Sequence, residues 1–479
     1  EIGVRLVGSE MCIRDRNNVA IIDEYGTDVS YEDLIEFGDK VASVISERSL
    51  VFVMCTNSIG SVAGYASFVN KGMVSVLLNA HLEKELLDNL VETYKPEYIW
   101  VPTEMCTEYE KYNAQNVFSE YGYTLLKTTF DAKYELYDEL CIMLTTSGST
   151  GSPKFVRQSY KNVESNAKSI VQYLELNSSE RPITTLPMNY TYGLSIINSH
   201  FMVGATLLVT DKGLMQKEFW KFFKGAEATS FGGVPYTYEM LERLRFFKME
   251  LPSLRYMTQA GGKLTPELHK KFAEYAEQKN VKFIVMYGQC EATARMGYLP
   301  AEKSLEKYGS MGIAIPGGKF KLIDVNGNDI TEPHVTGELV YYGSNVTLGY
   351  AECGQDLIKG DERFGELCTG DMAQFDEDGY YYIVGRKKRF LKIYGNRVNL
   401  DEVDRMIKTK FDNIDVASAG IDDHMYIFVT EERYANDVVK FVVEKTGLNP
   451  AAFQSIVIDS IPKNDAGKTL YKELTKYYK

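Results

Sequence analysis

Residues 145–154 read TTSGSTGSPK, and the reading of the whole chain turns on them. Hydroxyls stand at Thr145, Thr146, Ser147, Ser149, Thr150 and Ser152, glycines at Gly148 and Gly151, and the stretch ends in Pro153-Lys154. Before it runs Leu140-Cys141-Ile142-Met143-Leu144, an apolar run short enough for a buried strand. From Ser159 onward Val163, Ala167, Ile170, Val171 and Leu174 recur at helical spacing. A glycine- and hydroxyl-rich loop therefore leaves a strand. Glycines let the backbone turn its N–H groups inward, hydroxyls add donors and Lys154 adds positive charge, a combination that suits a polyphosphate. A Ser/Gly surface linker has a similar composition, but needs neither the strand in front nor the Pro-Lys end.

With 479 residues the chain can build two or three domains with substantial cores. Hydrophobic residues make up 44% and charged residues 25%, as in ordinary globular proteins. A net charge of −13 argues against a broad nucleic-acid surface, because phosphate backbones require a basic face. The seven cysteines form no CxxC pair, so a reduced, cytoplasmic protein is expected. The five histidines lie far apart and form no local metal motif. No apolar run reaches the ~18 residues of a membrane span. Residues 1–16, EIGVRLVGSEMCIRDR, resemble translated adapter read-through more than a domain start or a signal peptide, and are set aside as non-native. That reading leaves the native N-terminus open.

The first part of the chain alternates. SYEDLIEFGDKVASVI from Ser30 predicts a capped helix, Leu50–Met54 a strand, Ile59–Asn70 a helix, Met73–Leu78 a strand, Glu83–Tyr94 a helix and Tyr98–Val101 a strand. This rhythm predicts a mostly parallel sheet with helices on its faces. Between Tyr109 and Tyr137 the pattern supports no assignment. Lys319–Ile323 and Glu338–Tyr342 alternate as strands of a β subdomain, and 400–479 read as a small α/β domain.

Several motifs carry a resemblance. TTSGSTGSPK resembles the phosphate signature of the adenylate-forming (AMP-binding) superfamily, which includes acyl- and aryl-CoA synthetases, luciferases and peptide-synthetase adenylation domains. LPMNYTYGLS (186–195) resembles the segment beside the acid pocket, QAGGKL (259–264) the stretch beside adenine and acyl group, and VMYGQCEAT (285–293) the motif YGxTE. TGD at 369–371, GRKKR at 385–389 and PKNDAGK at 462–468 follow in the family's order. The match runs over residues 17–479.

The resemblance implies an α/β fold: a large N-terminal domain (17–385) of stacked, mostly parallel sheets with helices plus a β subdomain, and a small, mobile α+β C-terminal domain (386–479). It implies ATP-dependent activation of a small carboxylic acid to an acyl-adenylate with release of pyrophosphate. Transfer to a thiol follows, either coenzyme A or the phosphopantetheine of a separate acyl carrier protein. Thr146, Ser147, Gly148, Ser149, Thr150, Gly151 and Lys154 would hold the phosphates, and Glu291 a Mg²⁺ ion. Gly262, Tyr287 and Gly288 would flank adenine, with Asp371 and Arg386 at the ribose. Tyr190, Gly193 and Gly261 would line the acid pocket. Lys388 would be the hinge, Gly395 would let the pantetheine arm pass, and Lys468 would reach the reacting carboxylate. Cys290 replaces the family's threonine, and a thiol is the weaker donor toward phosphate. Amino-acid-activating relatives carry an aspartate near Tyr190; none lies between Leu186 and Asn198, which disfavours an α-amino acid. Two alternatives stay open: an amine or oxygen acceptor, or a degenerate nucleotide-binding protein, hinted at by Cys290 and by Phe155 where relatives often have glycine.

Overall fold

Ser30 caps the helix Tyr31–Val44 through a capping box with Asp33, which buries Leu34, Phe37 and Val41 as the apolar spacing requires. The computed structural model describes residues 18–45, 47–130, 133–145, 154–394, 396–411, 414–463 and 469–478, without the side chains of residues 388, 390, 396 and 397. The chain forms two compact units, one of Glu1–Phe320 with Tyr341–Leu367, the other of Lys321–Val340 with Cys368–Lys479.

The largest sheet of the first unit has eight strands. At its centre Leu140–Thr145, Val74–Asn79, Leu50–Cys55 and Tyr98–Pro102 run parallel. Leu50–Cys55 is apolar throughout and buried along its whole length, as a strand covered on both faces must be. The outer pairings are antiparallel. The segment from 109 to 137, where periodicity was silent, holds part of a 3₁₀ helix, Thr103–Tyr112, and a hairpin of Gln115–Glu120 with Tyr123–Lys127. Its turn, Tyr121-Gly122, has both φ positive, at 52° and 72°. Tyrosine does not signal such a turn locally; packing of its ring 5.3 Å from Phe37 accompanies it.

Immediately after the quoted stretch the structure adds an element that the sequence reading left unassigned. Phe155–Ser159 is a strand antiparallel to Leu140–Thr145, and only then does Ser159 cap the helix Tyr160–Leu174. Residues 146–153, outside the described residues, thus connect two neighbouring strands, with Thr145 opposite Phe155. The third member, Gly349–Ala351, pairs with Phe155–Ser159.

A second sheet sets Ser230–Gly233, Tyr256–Gln259 and Lys282–Tyr287 parallel and in register, Gly233 beside Gln259 beside Val285. Its carboxyl ends therefore deliver Val234, residues 260–262 and residues 287–288 to one edge, where α/β sheets bind ligands. The helices Tyr160–Leu174 and Thr191–Met202 pack on each other.

The second unit combines an antiparallel pair, Glu366–Phe375 with Tyr381–Arg386, and a hairpin of Phe390–Ile393 with Asn396–Asn399. Asn399 caps the helix Leu400–Lys410. A three-stranded sheet of Val416–Ile421, His424–Val429 and Phe453–Val457 packs on that helix and on Ala435–Thr446, with Ile407, Ile427, Val438 and Val442 fully buried. Among the described residues no helix is long and apolar enough to cross a membrane.

Candidate active site

Strand pairing brings Lys154 beside a residue far away in sequence. Tyr350 lies opposite Val156, next to the end of the quoted stretch. Lys154 Nζ stands 3.7 Å from the centroid of the Tyr350 ring and 3.4 Å from Glu352 Oε1. The Tyr350 hydroxyl donates to Glu291 Oε1 at 2.8 Å. The Arg363 guanidinium lies 4.6 Å from the same ring, and its Nη1 donates to the Glu291 carbonyl at 3.0 Å and to Thr347 Oγ1 at 2.7 Å. Burial, then the Glu291 charge, push the Tyr350 hydroxyl up to about 12, so it remains a donor at neutral pH. Two cations, a phenol and two carboxylates, Glu291 and Glu352, are thus assembled where the 145–154 stretch ends.

The opposite end of that stretch is reached by Cys290, whose Sγ lies 3.9 Å from the Thr145 carbonyl oxygen. The predicted phosphate residue therefore stands at the mouth of the 146–153 segment with its thiol on backbone. Thr146, Ser147, Gly148, Ser149, Thr150 and Gly151 lie outside the described residues.

A rigid bed supports Glu291. An added Cβ at Gly288 would meet the Ala294 carbonyl oxygen at 1.7 Å, which only glycine avoids. Asn345 Nδ2 donates to the carbonyls of Ala292 at 2.9 Å and Arg295 at 3.0 Å, while Thr293 Oγ1 donates to the Asn345 carbonyl at 2.7 Å. Thr293 holds a φ of 65°, costly for a threonine and sustained by these bonds. Below Tyr350, fully buried Arg157 donates to the Tyr350 carbonyl at 3.0 Å and pairs with Glu362 at 2.5 Å.

Tyr190 and Gly261 do come together. A Cβ at Gly261 (φ +82°) would lie 2.5 Å from the Tyr190 hydroxyl and 3.1 Å from Val234 Cγ1. Burial holds the Tyr190 hydroxyl well above the usual phenol range. At Gly193 the helix turn passes so close to Pro187 that a Cβ would lie 2.4 Å from the Pro187 carbonyl oxygen. Gly262 packs on Pro235, and Tyr287 packs edge-on to Phe320 at 6.3 Å. Tyr287 ends one of two adjacent parallel strands, and Gly262 follows the carboxyl end of the other.

In the second unit Asp371 is buried and Arg386 exposed, paired across two strands with Nε 3.2 Å from Oδ1. The basic run from Arg386 is not a uniform solvated face. Lys387 pairs with Glu338 at 2.6 Å, and buried Arg389 bridges Asp401 at 2.8 Å and Asp404 at 3.0 Å beneath the Tyr471 ring. The backbone of Lys388 lies in the 3₁₀ turn Lys387–Arg389. Gly395 and Lys468 lie outside the described residues. The ends of the segment carrying Lys468 meet, Lys463 bridging to Thr469 in antiparallel fashion.

Motif reading missed Tyr350 and Arg363, because neither belongs to a motif that the sequence analysis assigned to chemistry. Their only sequence signal is aromatic and cationic character next to glycines. Among the described residues no group of three or more His, Cys, Asp or Glu side chains could enclose a metal. Glu291, beside Lys154 and Arg363, fits Mg²⁺, which takes one or two carboxylates and completes its shell with water and substrate phosphates.

The sequence profile of a family described as AMP-binding enzyme matches residues 10–351. A 2-succinylbenzoate–CoA ligase of Bacillus mycoides is 24% identical over 96% of this chain and 96% of its own length. An oxalate–CoA ligase of Arabidopsis thaliana is 27% identical over 71% of this chain and 68% of its own. Among solved structures, the o-succinylbenzoate CoA synthetase of Bacillus subtilis with its acyl-adenylate intermediate superposes at a TM-score of 0.77 and 21% identity, covering 97% of this chain and 96% of that one. An anthranilate CoA ligase with anthranoyl-AMP gives 0.79 at 19% identity, covering 100% and 98%. These two structures share the fold.

Proposed function

The chain belongs to the AMP-binding enzyme family, and from that premise we propose that it joins a small carboxylic acid to coenzyme A through an acyl-adenylate. A carboxylate oxygen attacks the α-phosphorus of ATP, the bond to the bridging oxygen breaks, and pyrophosphate leaves. The thiol sulfur then bonds to the acyl carbon and AMP departs. Neither step needs a protein nucleophile, so the protein contributes positioning and neutralisation of phosphate charge. CoA ligases among the similar proteins support this reading.

The observation that carries it is the convergence of Lys154, Tyr350, Arg363 and Glu291 at the end of the 145–154 stretch. Lys154 and the 146–151 backbone take the β- and γ-phosphates. Glu291, oriented by Tyr350, holds Mg²⁺, which when bound neutralises charge on the triphosphate. Tyr287, Gly262 and Gly288 flank adenine, and Asp371 with Arg386 takes the ribose. Tyr190 and Gly261 bound the acid. Lys468 faces the charge that develops at the reacting carboxylate. After adenylation the segment beyond Lys388 turns to admit the thiol past Gly395.

Free coenzyme A is the acceptor, with a carrier protein's phosphopantetheine as the alternative that the same assay addresses. The scattered cysteines, with no CxxC pair, support a reducing, cytoplasmic setting. The test is carboxylate-dependent exchange of labelled pyrophosphate into ATP, followed by thioester formation with coenzyme A. Exchange with one class of acid and thioester formation with free coenzyme A are expected. ATP binding without exchange for any acid would point instead to a nucleotide-binding protein.

A further inference from the structure

Two residues beyond Glu291, Thr293 holds a backbone conformation that a β-branched residue rarely adopts, with φ 65° and ψ −53°. The Ala294 N–H donates to the Ala292 carbonyl across it at 2.7 Å, which makes a γ-turn of the rare, strained hand. Such strain persists only where the surroundings impose it. Two side-chain hydroxyls do so here. Thr293 Oγ1 donates to the Asn345 carbonyl at 2.7 Å, and Asn345 is itself held by the Tyr341 hydroxyl at 2.8 Å. From the other side the Thr191 hydroxyl donates to the Thr293 carbonyl. Both threonines are buried, so bulk water does not make good the loss of that donor.

Thr191 connects this turn to the acid pocket. It begins the helix Thr191–Met202 directly after Tyr190, whose hydroxyl bounds the space at Gly261. The helix start has no room to shift. The Leu194 N–H donates to the Tyr190 carbonyl at 3.0 Å, and Gly193 runs hard against the Pro187 carbonyl. On the metal side the Glu291 carbonyl accepts from the Thr347 N–H and from Arg363 Nη1, each at 3.0 Å. One hydroxyl thus ties the residue after Tyr190 to the turn after Glu291, although 102 positions separate Thr191 from Thr293.

We propose that Thr191 is a positioning residue for acid activation: by holding the strained Thr293 turn against the helix start at Tyr190, its hydroxyl keeps Glu291 in register with the bound acid. The inference rests on the acid-activating reading above, with Glu291 at the metal. Thr191 acts through the Thr293 carbonyl. Without its hydroxyl the turn relaxes from the strained conformation and Glu291 moves with it. The acid then meets a poorly placed triphosphate, which slows bond formation and leaves the affinity for the acid unchanged.

The experiment compares wild type, Thr191→Val and Thr191→Ser by calorimetric ATP binding with and without Mg²⁺, pyrophosphate exchange and urea unfolding midpoints. Thr191→Val keeps the shape and removes the donor. It should lower kcat, and the gain in ATP affinity that Mg²⁺ confers, about 10-fold each, as loss of an orienting partner does. Its KM for the acid and its ATP affinity without Mg²⁺ should stay at the wild-type values. Thr191→Ser should restore both losses. A lower unfolding midpoint with kcat and the Mg²⁺ effect unchanged is the mark of a merely structural role and overturns the assignment. Thr191→Ser as impaired as Thr191→Val overturns it too. If Thr191→Val does not fold, Thr191→Cys, a weak donor of similar shape, is judged by the same criteria. Wild-type exchange with unaltered variants refutes the assignment alone, whereas no wild-type exchange with any acid refutes the acid-activating reading as well.

Discussion

Lys154 lies with its ammonium 3.7 Å over the ring of Tyr350, a residue almost two hundred positions further along the chain. The contact arises because the strand Gly349–Ala351 pairs with Phe155–Ser159, so the 145–154 stretch ends against an aromatic face. A cation held over a desolvated ring is stabilised by about 1–2 kcal/mol and loses much of its freedom to wander. The same tyrosine donates to Glu291, so one side chain orients both the lysine and the carboxylate.

Removing only that hydroxyl separates the two tasks. Tyr350→Phe should leave ATP binding near normal but raise the Mg²⁺ concentration needed for half-maximal exchange about 10-fold or more, as loss of an orienting partner does at other metal sites. Tyr350→Ala should weaken ATP binding as well. Magnesium titrations of the exchange rate compare the two, and identical curves for Tyr350→Phe and wild type would remove the orienting role.

Lys468 is assigned to transition-state charge. Lys468→Ala should slow adenylation by roughly 10²–10³ with little change in ATP affinity, as loss of a single transition-state donor does. Single-turnover adenylation measured beside nucleotide binding tests it, and an unchanged rate would exclude the lysine from that role.

Gly288 and Gly309 should respond unequally to alanine. At Gly288 the new Cβ collides with the Ala294 carbonyl, whereas at Gly309 (φ +86°) nothing lies within 4 Å and only backbone strain is added. Gly309→Ala should cost about 1–2 kcal/mol. Gly288→Ala should cost more and also depress exchange activity, because it displaces the bed of Glu291. Urea unfolding midpoints with activity at saturating ATP distinguish the two.

Two buried histidines predict a loss of stability on acidification. His269 accepts from the Gly309 N–H at 3.0 Å and donates from Nε2 to Ser304 Oγ at 3.1 Å; burial pushes it down to about 4, as it does His200. Both folded values lie below the unfolded value, so the unfolded chain binds protons first. Their contribution is complete above about pH 6.5 and lost as pH falls through about 4, about 3 kcal/mol for each imidazole. Unfolding midpoints followed from neutral pH downward should decline over that window. The decline should be shallower in His269→Gln, and an equal slope in that variant would contradict the assignment.

The elements that were legible in the sequence are those with strong local signals. Ser30 announced its helix by capping, the residues after Ser159 theirs by apolar spacing, Leu50–Cys55 its strand by unbroken apolarity, and the helix Ile59–Asn70 its boundaries. The hairpin at Tyr121-Gly122 was not legible, because its turn depends on Phe37 packing against a residue that carries no turn preference. Glu291 and Lys154 could be named from motifs. Tyr350, Arg363 and Thr191 could not, since each gains its meaning from a neighbour more than ten positions away that only pairing and burial supply. The strand at Phe155–Ser159 was overlooked because a five-residue strand running straight into a capped helix leaves no gap in the pattern.

That short strand changes what can be done with the stretch before it. Thr145 and Phe155, which flank the stretch between the two strands, face each other across the sheet and are held about 5 Å apart by it. A segment anchored in this way behaves as a replaceable cassette. Its length and residues can be exchanged, or drift in evolution, without rerouting the chain or shifting the Tyr350 platform beside it.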